Sequence, residues 1–383
     1  MDAGEGRLAF ALHSLNWHQP ATSLPFALHS TADMDVRDFD FDLPSELIAQ
    51  EPAPQRGGSR LLFLDRAIGA VIDETVAALP EHLERGDVLV INNTRVFPAR
   101  LLGRRVPSGG AVECLLVGRT DGGEWEALMH PGQKLKVGAQ VVFEGARTLY
   151  GEVLARRFHG RRAIRLWTEN GCSVDEVAEA VDAIGHVPLP PYIKRDDQPT
   201  DRDRYQTIFA QSRGSVAAPT AGLHFTPALV ARCVDRGVAI AEITLHVGYG
   251  TFQPVRVEHV EDHQVEPERY EIGRTAAETI TAALREKRRI VAVGTTTTRT
   301  LETVAREHQG QIVPGTGWAD VFIYPGFTFR VVSGLLTNFH LPRSSLLMLV
   351  SAFAGRERVL DAYRHAIADR YRFYSYGDAM LVL

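Results

Sequence analysis

The sequence predicts a mixed α/β fold, in which a main α/β domain is interrupted by an inserted small β-barrel. From Thr226 onward, apolar runs of strand length alternate with capped helical stretches, the pattern of an α/β domain. Between Pro98 and Trp167 the texture changes. Short strand-like runs there are parted by Ser108-Gly109-Gly110, Asp121-Gly122-Gly123, Pro131-Gly132, Glu144-Gly145 and His159-Gly160, as in a small barrel or sandwich. The length of 383 residues accommodates two or three domains at roughly 150 residues each. The expected division is residues 34–96 with 173–383 for the α/β domain and 97–172 for the insertion.

Taken in order, residues 1–33 lack a sustained period and begin with Asp2 and Glu5 rather than a basic signal-peptide region. They are expected to be a disordered extension or the product of too early a start, with the working protein beginning near Met34, in the cytoplasm. Residues 44–51 read as helical, with Leu47, Ile48 and Ala49 apolar, and Leu61–Leu64 and Val88–Ile91 read as buried strands. Ser173-Val174-Asp175-Glu176 is a capping box that opens a helix to Gly185. Thr226-Pro227 opens a helix that Gly237 closes, and a strand follows from Val238 to His246. Thr275 with Glu278 predicts a second capping box, with a helix to about Arg288. Then come a strand at Ile290–Val293, a Thr-rich turn and a helix ending near Gly310. Leu346–Ala354 fits a buried strand or helix equally, and Glu357–Arg370 is an amphipathic helix.

Composition excludes several classes of function. Apolar content of 45% and charged content of 23% exclude wholesale disorder. Three scattered cysteines give neither a disulfide framework nor a Cys-based zinc site. No apolar run approaches the ~20 residues of a membrane helix. A net charge of −5 argues against a protein that coats nucleic acid by bulk charge. Yet residues 97–170 hold twelve Lys and Arg against seven Asp and Glu. Arg156, Arg157, Arg161, Arg162 and Arg165 flank the His159-Gly160 turn. They read equally as a solvated edge hairpin or as a phosphate-contacting surface.

Several loops carry groups suited to chemistry. Gly294-Thr295-Thr296-Thr297-Thr298-Arg299 follows a strand and opens a helix, where backbone N–H groups and hydroxyls favour a carboxylate or phosphate. It lacks the Gly-Lys-Ser/Thr of a Walker loop. Ala217 to Thr226 is a small-residue loop, including Thr220 and Gly222, that allows close backbone approach and places His224 beside a helix start. His246 to Phe252 holds Gly248 and Gly250, without the third glycine of a dinucleotide fingerprint. Glu242, Thr244 and His246 alternate along one strand face. His259-x-Glu261-x-His263 has the wrong order for a zinc protease helix, so a surface helix or loop is expected there. Asn338, His340 and Arg343 lie in a polar loop, and Tyr371 to Asp378 interleaves aromatics able to stack a base, among them Tyr374 and Tyr376.

These segments, in this order, resemble the S-adenosylmethionine:tRNA ribosyltransferase-isomerases of queuosine biosynthesis. Further matching pieces are Asp38-Phe39-Asp40-Phe41-Asp42-Leu43-Pro44, Asn92-Asn93-Thr94-Arg95-Val96, Val187-Pro188-Leu189-Pro190-Pro191-Tyr192-Ile193 and Arg204-Tyr205-Gln206-Thr207. The resemblance runs from about Met34 to the end. It implies an α/β domain with an inserted barrel and an enzyme that transfers and isomerises the ribosyl moiety of S-adenosylmethionine. The acceptor would be the 7-aminomethyl-7-deazaguanine at the tRNA wobble position, and the products epoxyqueuosine, adenine and methionine. The donor would be consumed as a substrate, with no cofactor or metal. The expected partner is tRNA with a GUN anticodon, the chain acting as a monomer away from membranes. Many members carry a second His where Glu266 stands here, so no essential role is assigned to that position.

The implied chemistry needs a base at C5′ of the donor, a neutral attacking amine and an acid for departing adenine. His224, His246 and His340 are candidates, as is Glu242 if burial raises its pKa. Thr295–Arg299 would hold the methionine carboxylate, and the basic hairpin would hold anticodon-stem phosphates. Tyr374 or Tyr376 would stack the flipped wobble base. Two other classes stay open: an ordinary RNA methyltransferase and a non-catalytic tRNA-binding protein.

Overall fold

The computed structural model describes residues 33–120, 122–157, 160–252 and 254–383. The readings for residues 1–32, and for Asp121 and His159 in the insertion's turns, lie outside the described residues. Asp33–Leu383 pack as one unit.

A nine-stranded mixed sheet forms the centre. From one edge its order is Gly315–Ala319, Glu268–Ile272, Ala239–Leu245, Val88–Asn92, Ile290–Val293, Gly334–Asn338, Ala379–Val382, Arg60–Leu64 and Val71–Thr75. The four strands from Ala239–Leu245 to Gly334–Asn338 run parallel. Val88–Asn92 and Ile290–Val293 are buried at every position, as expected of strands covered on both faces. The strand Val88–Asn92 is flanked by Ala239–Leu245 on one side and by the later Ile290–Val293 on the other. Chain order therefore reverses direction at this strand. Such a switch point opens a crevice beyond the carboxyl ends of the strands, where open α/β sheets bind ligands.

Beyond Val88–Asn92 the chain passes through the short strand Thr94–Val96 and enters a closed six-stranded antiparallel barrel built between Arg100 and Trp167. Helix Val174–Ile184 closes one end of it, burying Val177, Ala180 and Val181 in the barrel core. The chain then returns through Ser212–Ser215, which pairs in parallel with Thr94–Val96. This two-stranded ribbon is the seam between barrel and sheet.

Local side-chain capping sets three of the helix starts. Ser173 Oγ accepts from the Glu176 N–H, Thr226 Oγ1 from Leu229 and Ser344 Oγ from Leu347. The Ser344 cap makes the ambiguous apolar run a helix, Ser345–Ala354. Other expectations are corrected. The helix at 44–51 shrinks to a 3₁₀ turn, Ser45–Leu47. Pro52 and Pro54 follow, and the backbone there instead bonds Phe373, with Ala49 N–H to its carbonyl and its N–H to the Leu47 carbonyl. No capping box forms at Thr275, because the N-cap is Gly273, two residues earlier, and Thr275 already lies inside helix Arg274–Arg285. The four threonines are not a turn before a helix but the first residues of helix Thr295–Glu307. Gly294, at φ +94°, makes the sharp strand-to-helix turn that only glycine adopts without strain.

Candidate active site

Loops leaving three of the parallel strands wall a cleft of about 540 Å³, open to solvent. Val247, Thr251 and Phe252 come from the loop after Ala239–Leu245, Gly294 to Thr296 from the turn after Ile290–Val293, and Asn338 and His340 from the end of Gly334–Asn338. The small-residue loop Ala217 to Ala221 and the segment Tyr374-Ser375 complete it. No Asp, Glu, Lys or Arg lines the cleft among the described residues. One wall is aromatic, with Tyr192 edge-on to both Tyr374 and Phe252. The lining also presents the hydroxyls of Thr220, Thr295 and Thr296 and the helix start at Thr295. The first N–H groups there have no partner within the helix, so they favour an anionic ligand group.

Of the expected site residues, Thr220, Thr295, Thr296, Asn338, His340 and Tyr374 line this cleft. His340 is buried, with Nε2 3.4 Å from Thr337 Oγ1 and Nδ1 3.5 Å from the Tyr363 hydroxyl. Burial pushes its pKa down to about 3, so the ring is neutral at physiological pH. His224 lies behind the cleft wall. Its Nε2 accepts from Asn338 Nδ2 at 3.2 Å, and burial pushes it down to about 4. His246 is half-buried, with Nδ1 2.9 Å from Thr94 Oγ1, which in turn is 2.8 Å from Ser215 Oγ. Its ring fills the space a side chain at Gly214 would need, since a Cβ there would come within 2.6 Å of Cε1. Burial first, and Arg269 second, lower its pKa. All three rings are therefore neutral at physiological pH, so none of them arrives carrying a proton.

The remaining candidates do other work. Glu242 is exposed, so the burial that its use required is missing. Thr297 and Thr298 bend their hydroxyls back to the carbonyls of Val293 and Gly294. Arg299 does not reach the cleft and is corrected as a carboxylate anchor. Its guanidinium pairs with the buried Glu268 at 2.7 Å and donates to the carbonyls of Val321, Ala319 and Glu266. Glu268 then accepts from Gly248 N–H at 3.0 Å and Thr251 Oγ1 at 3.2 Å. The buried pair thus fixes the Gly248–Phe252 loop, whose end lines the cleft. Gly250 packs on Glu266 and Gly222 on Thr207, close approaches that leave no room for a Cβ. Arg343 pairs with Asp40, and the Tyr376 hydroxyl donates to Asp201 at 2.8 Å, facing away from the cleft.

The basic hairpin divides in the same way. Arg156 and Arg157 are exposed. Arg161 pairs with Glu126 at 3.2 Å and Glu266 at 2.6 Å, tying the barrel to the α/β domain. Arg162 is buried and donates to the carbonyls of Gly132, Leu135, Gly160 and Arg161. Neither is a free phosphate contact. Tyr192, Phe252 and Ser375 line the cleft without having been singled out for it. They are common aromatic and hydroxyl residues, and nothing at their own positions separates a cleft wall from a core edge.

Fold and site together define a class: an α/β enzyme with an inserted barrel and a small-molecule cleft at the switch point of its sheet. The family model for the queuosine biosynthesis protein matches residues 36–382. The S-adenosylmethionine:tRNA ribosyltransferase-isomerases of Desulfitobacterium hafniense and Symbiobacterium thermophilum are each 51% identical over 350 residues, covering 91% of this chain and all of theirs. The crystal structure of S-adenosylmethionine tRNA ribosyltransferase from Thermotoga maritima is 37% identical. It aligns with a TM-score of 0.51 over 90% of this chain and all of that one. The chain belongs to the queuosine biosynthesis protein family.

Proposed function

We infer that this chain catalyses the S-adenosylmethionine:tRNA ribosyl-transfer and isomerisation step of queuosine biosynthesis. The observation that carries the reading is the uncharged cleft of imidazole, hydroxyl and helix-terminal N–H groups at the switch point, in a chain matching its relatives over their whole length. The donor enters this cleft, its methionine carboxylate on the N–H groups of Thr295 and Thr296. The sulfonium acidifies C5′, and His340 takes the proton because its imidazole is the one that lines the cleft. The aminomethyl group of the deazaguanine attacks, adenine and methionine leave, and the wobble base stacks against Tyr374. The donor is a consumed substrate, without metal or flavin. The acceptor is tRNA with a GUN anticodon, and the protein acts as a cytoplasmic monomer.

The test is mass spectrometry of nucleosides from precursor-bearing tRNA incubated with protein and S-adenosylmethionine, with released adenine and methionine assayed together. An epoxyqueuosine nucleoside with both by-products is expected. Unmodified tRNA beside demonstrably folded protein would refute the reading. S-adenosylhomocysteine instead would mark methyl transfer.

A further inference from the structure

A second pocket, of about 320 Å³, lies on the far side of His224 and shares Ser375 with the cleft. Arg56 and Arg204 both line it. Neither has a carboxylate partner within ion-pair distance among the described residues. Arg56 spends its contacts on the carbonyls of Gln206, Leu223 and Asp203, and Arg204 on those of Pro54 and Ala53. Nε of each makes no hydrogen bond among the described residues. Asp201, the buried carboxylate that bonds the pocket's Tyr376, is held by Arg195 and by the Tyr376 hydroxyl. Burial and the neighbouring Arg204 charge both press the Arg56 pKa downward, with Asp203 and Tyr376 opposing. Two like charges converge on one part-buried pocket with spare donors and no carboxylate in its lining, an arrangement that favours a bound anion.

We propose that Arg56 and Arg204 form a subsite for one backbone phosphate of the RNA substrate, at a nucleotide next to the base in the cleft. This rests on the tRNA reading above. The alternative anion, the methionine carboxylate of the donor, carries an ammonium group with it. No acidic side chain lines the pocket to receive that cation beside two guanidinium groups. A phosphodiester brings negative charge alone, and guanidinium forks match its oxygens.

Binding of an anticodon stem-loop bearing the precursor base tests the subsite. Affinity is measured across salt concentrations for wild type, Arg56→Gln, Arg204→Gln and the double variant. Each single change should weaken binding about tenfold, as for loss of one charged contact. The double should fall well short of the hundredfold product, because both groups grip one phosphate, and its salt slope should flatten by about one. S-adenosylmethionine affinity should stay at the wild-type value, which also reports an intact fold. Wild-type protein is then titrated with stem-loops carrying a neutral methylphosphonate at one linkage at a time, which needs no variant to fold. One linkage should reproduce the loss, and the double variant should be insensitive there. Wild type that fails to bind the stem-loop would overturn the tRNA reading itself. Wild type that binds, beside a double variant of equal affinity and slope, or no sensitive linkage, would overturn the subsite alone.

Discussion

The sheet cleft and the barrel hairpin both drew attention as clusters of chemically able residues, and the fold treats them oppositely. At the cleft, three strand ends converge, and the imidazole of His340, the hydroxyls of Thr295 and Thr296 and the Asn338 amide stay on its walls. At the hairpin, Arg161 and Arg162 are consumed by neighbouring carboxylates and carbonyls, leaving Arg156 and Arg157 exposed. The strand ends present groups because the strand ladder stops there and the chain turns into loops and a helix start. A charged side chain elsewhere finds the nearest complementary group first. Arg299 shows the same rule inside the cleft's own motif, since its charge holds a loop in place of a ligand.

The largest expected effect breaks that loop anchor. Glu268→Ala would leave the Arg299 guanidinium buried without its carboxylate, which costs about 3–5 kcal/mol. Urea unfolding should report that loss, whereas Arg165→Ala, which breaks an exposed pair with Glu152, should change stability by less than about 1 kcal/mol. Equal losses would mean that the buried pair is not the anchor of the Gly248–Phe252 loop.

Acid should separate the two regions next. Folded His224 and His340 titrate at about 4 and about 3, against 6.5 for an ordinary imidazole. Below about pH 6.5 the unfolded chain takes up protons that the folded one refuses. The stability is therefore whole above that pH and falls as pH drops toward the folded values, by about 1.4 kcal/mol per unit for each ring. Between pH 6.5 and about 5 each histidine thus accounts for about 2 kcal/mol. His340→Gln should remove its share of the slope in unfolding curves at the two pH values. An unchanged slope would show that the ring is not held neutral.

Legibility followed how local the deciding interaction is. Ser173 and Thr226 announced their helices because a cap bonds a backbone N–H three residues on. The glycine-rich turns announced the barrel for the same reason. The stretch 44–51 misled because its backbone partner, Phe373, is more than 300 residues away. Arg299 and Glu268 meet only once strand Glu268–Ile272 and helix Thr295–Glu307 are folded side by side, so the motif read as a ligand loop. The position of His340 in the cleft and of His224 behind it likewise depends on packing that neither residue's neighbours in sequence disclose.

A third comparison sits within the threonine run. Thr296 lines the cleft, whereas the Thr297 hydroxyl is already bonded to the Val293 carbonyl at 2.8 Å. Thr296→Val should raise the Michaelis constant for S-adenosylmethionine up to about tenfold, the worth of one hydrogen bond of about 0.5–1.5 kcal/mol. Thr297→Val should leave it within about twofold. The reverse order would place the donor's contacts deeper in the helix than the cleft allows.

The smallest effect on the fold is expected at the hairpin, and there the two kinds of arginine part company. Arg156→Gln with Arg157→Gln removes two exposed charges, so stability should stay within about 0.5 kcal/mol. If these side chains meet phosphates, tRNA affinity should fall and its salt slope flatten by about one for each. Arg162→Gln should do the opposite, because that guanidinium ties Gly132, Leu135 and Gly160 together at the barrel rim. Its loss should lower the unfolding midpoint while leaving the salt slope of tRNA binding as it was. If instead Arg162→Gln alone flattened the slope, the carbonyl-bound arginine would be leaving its partners to meet RNA, and the division between buried and exposed charges in this hairpin would have to be redrawn.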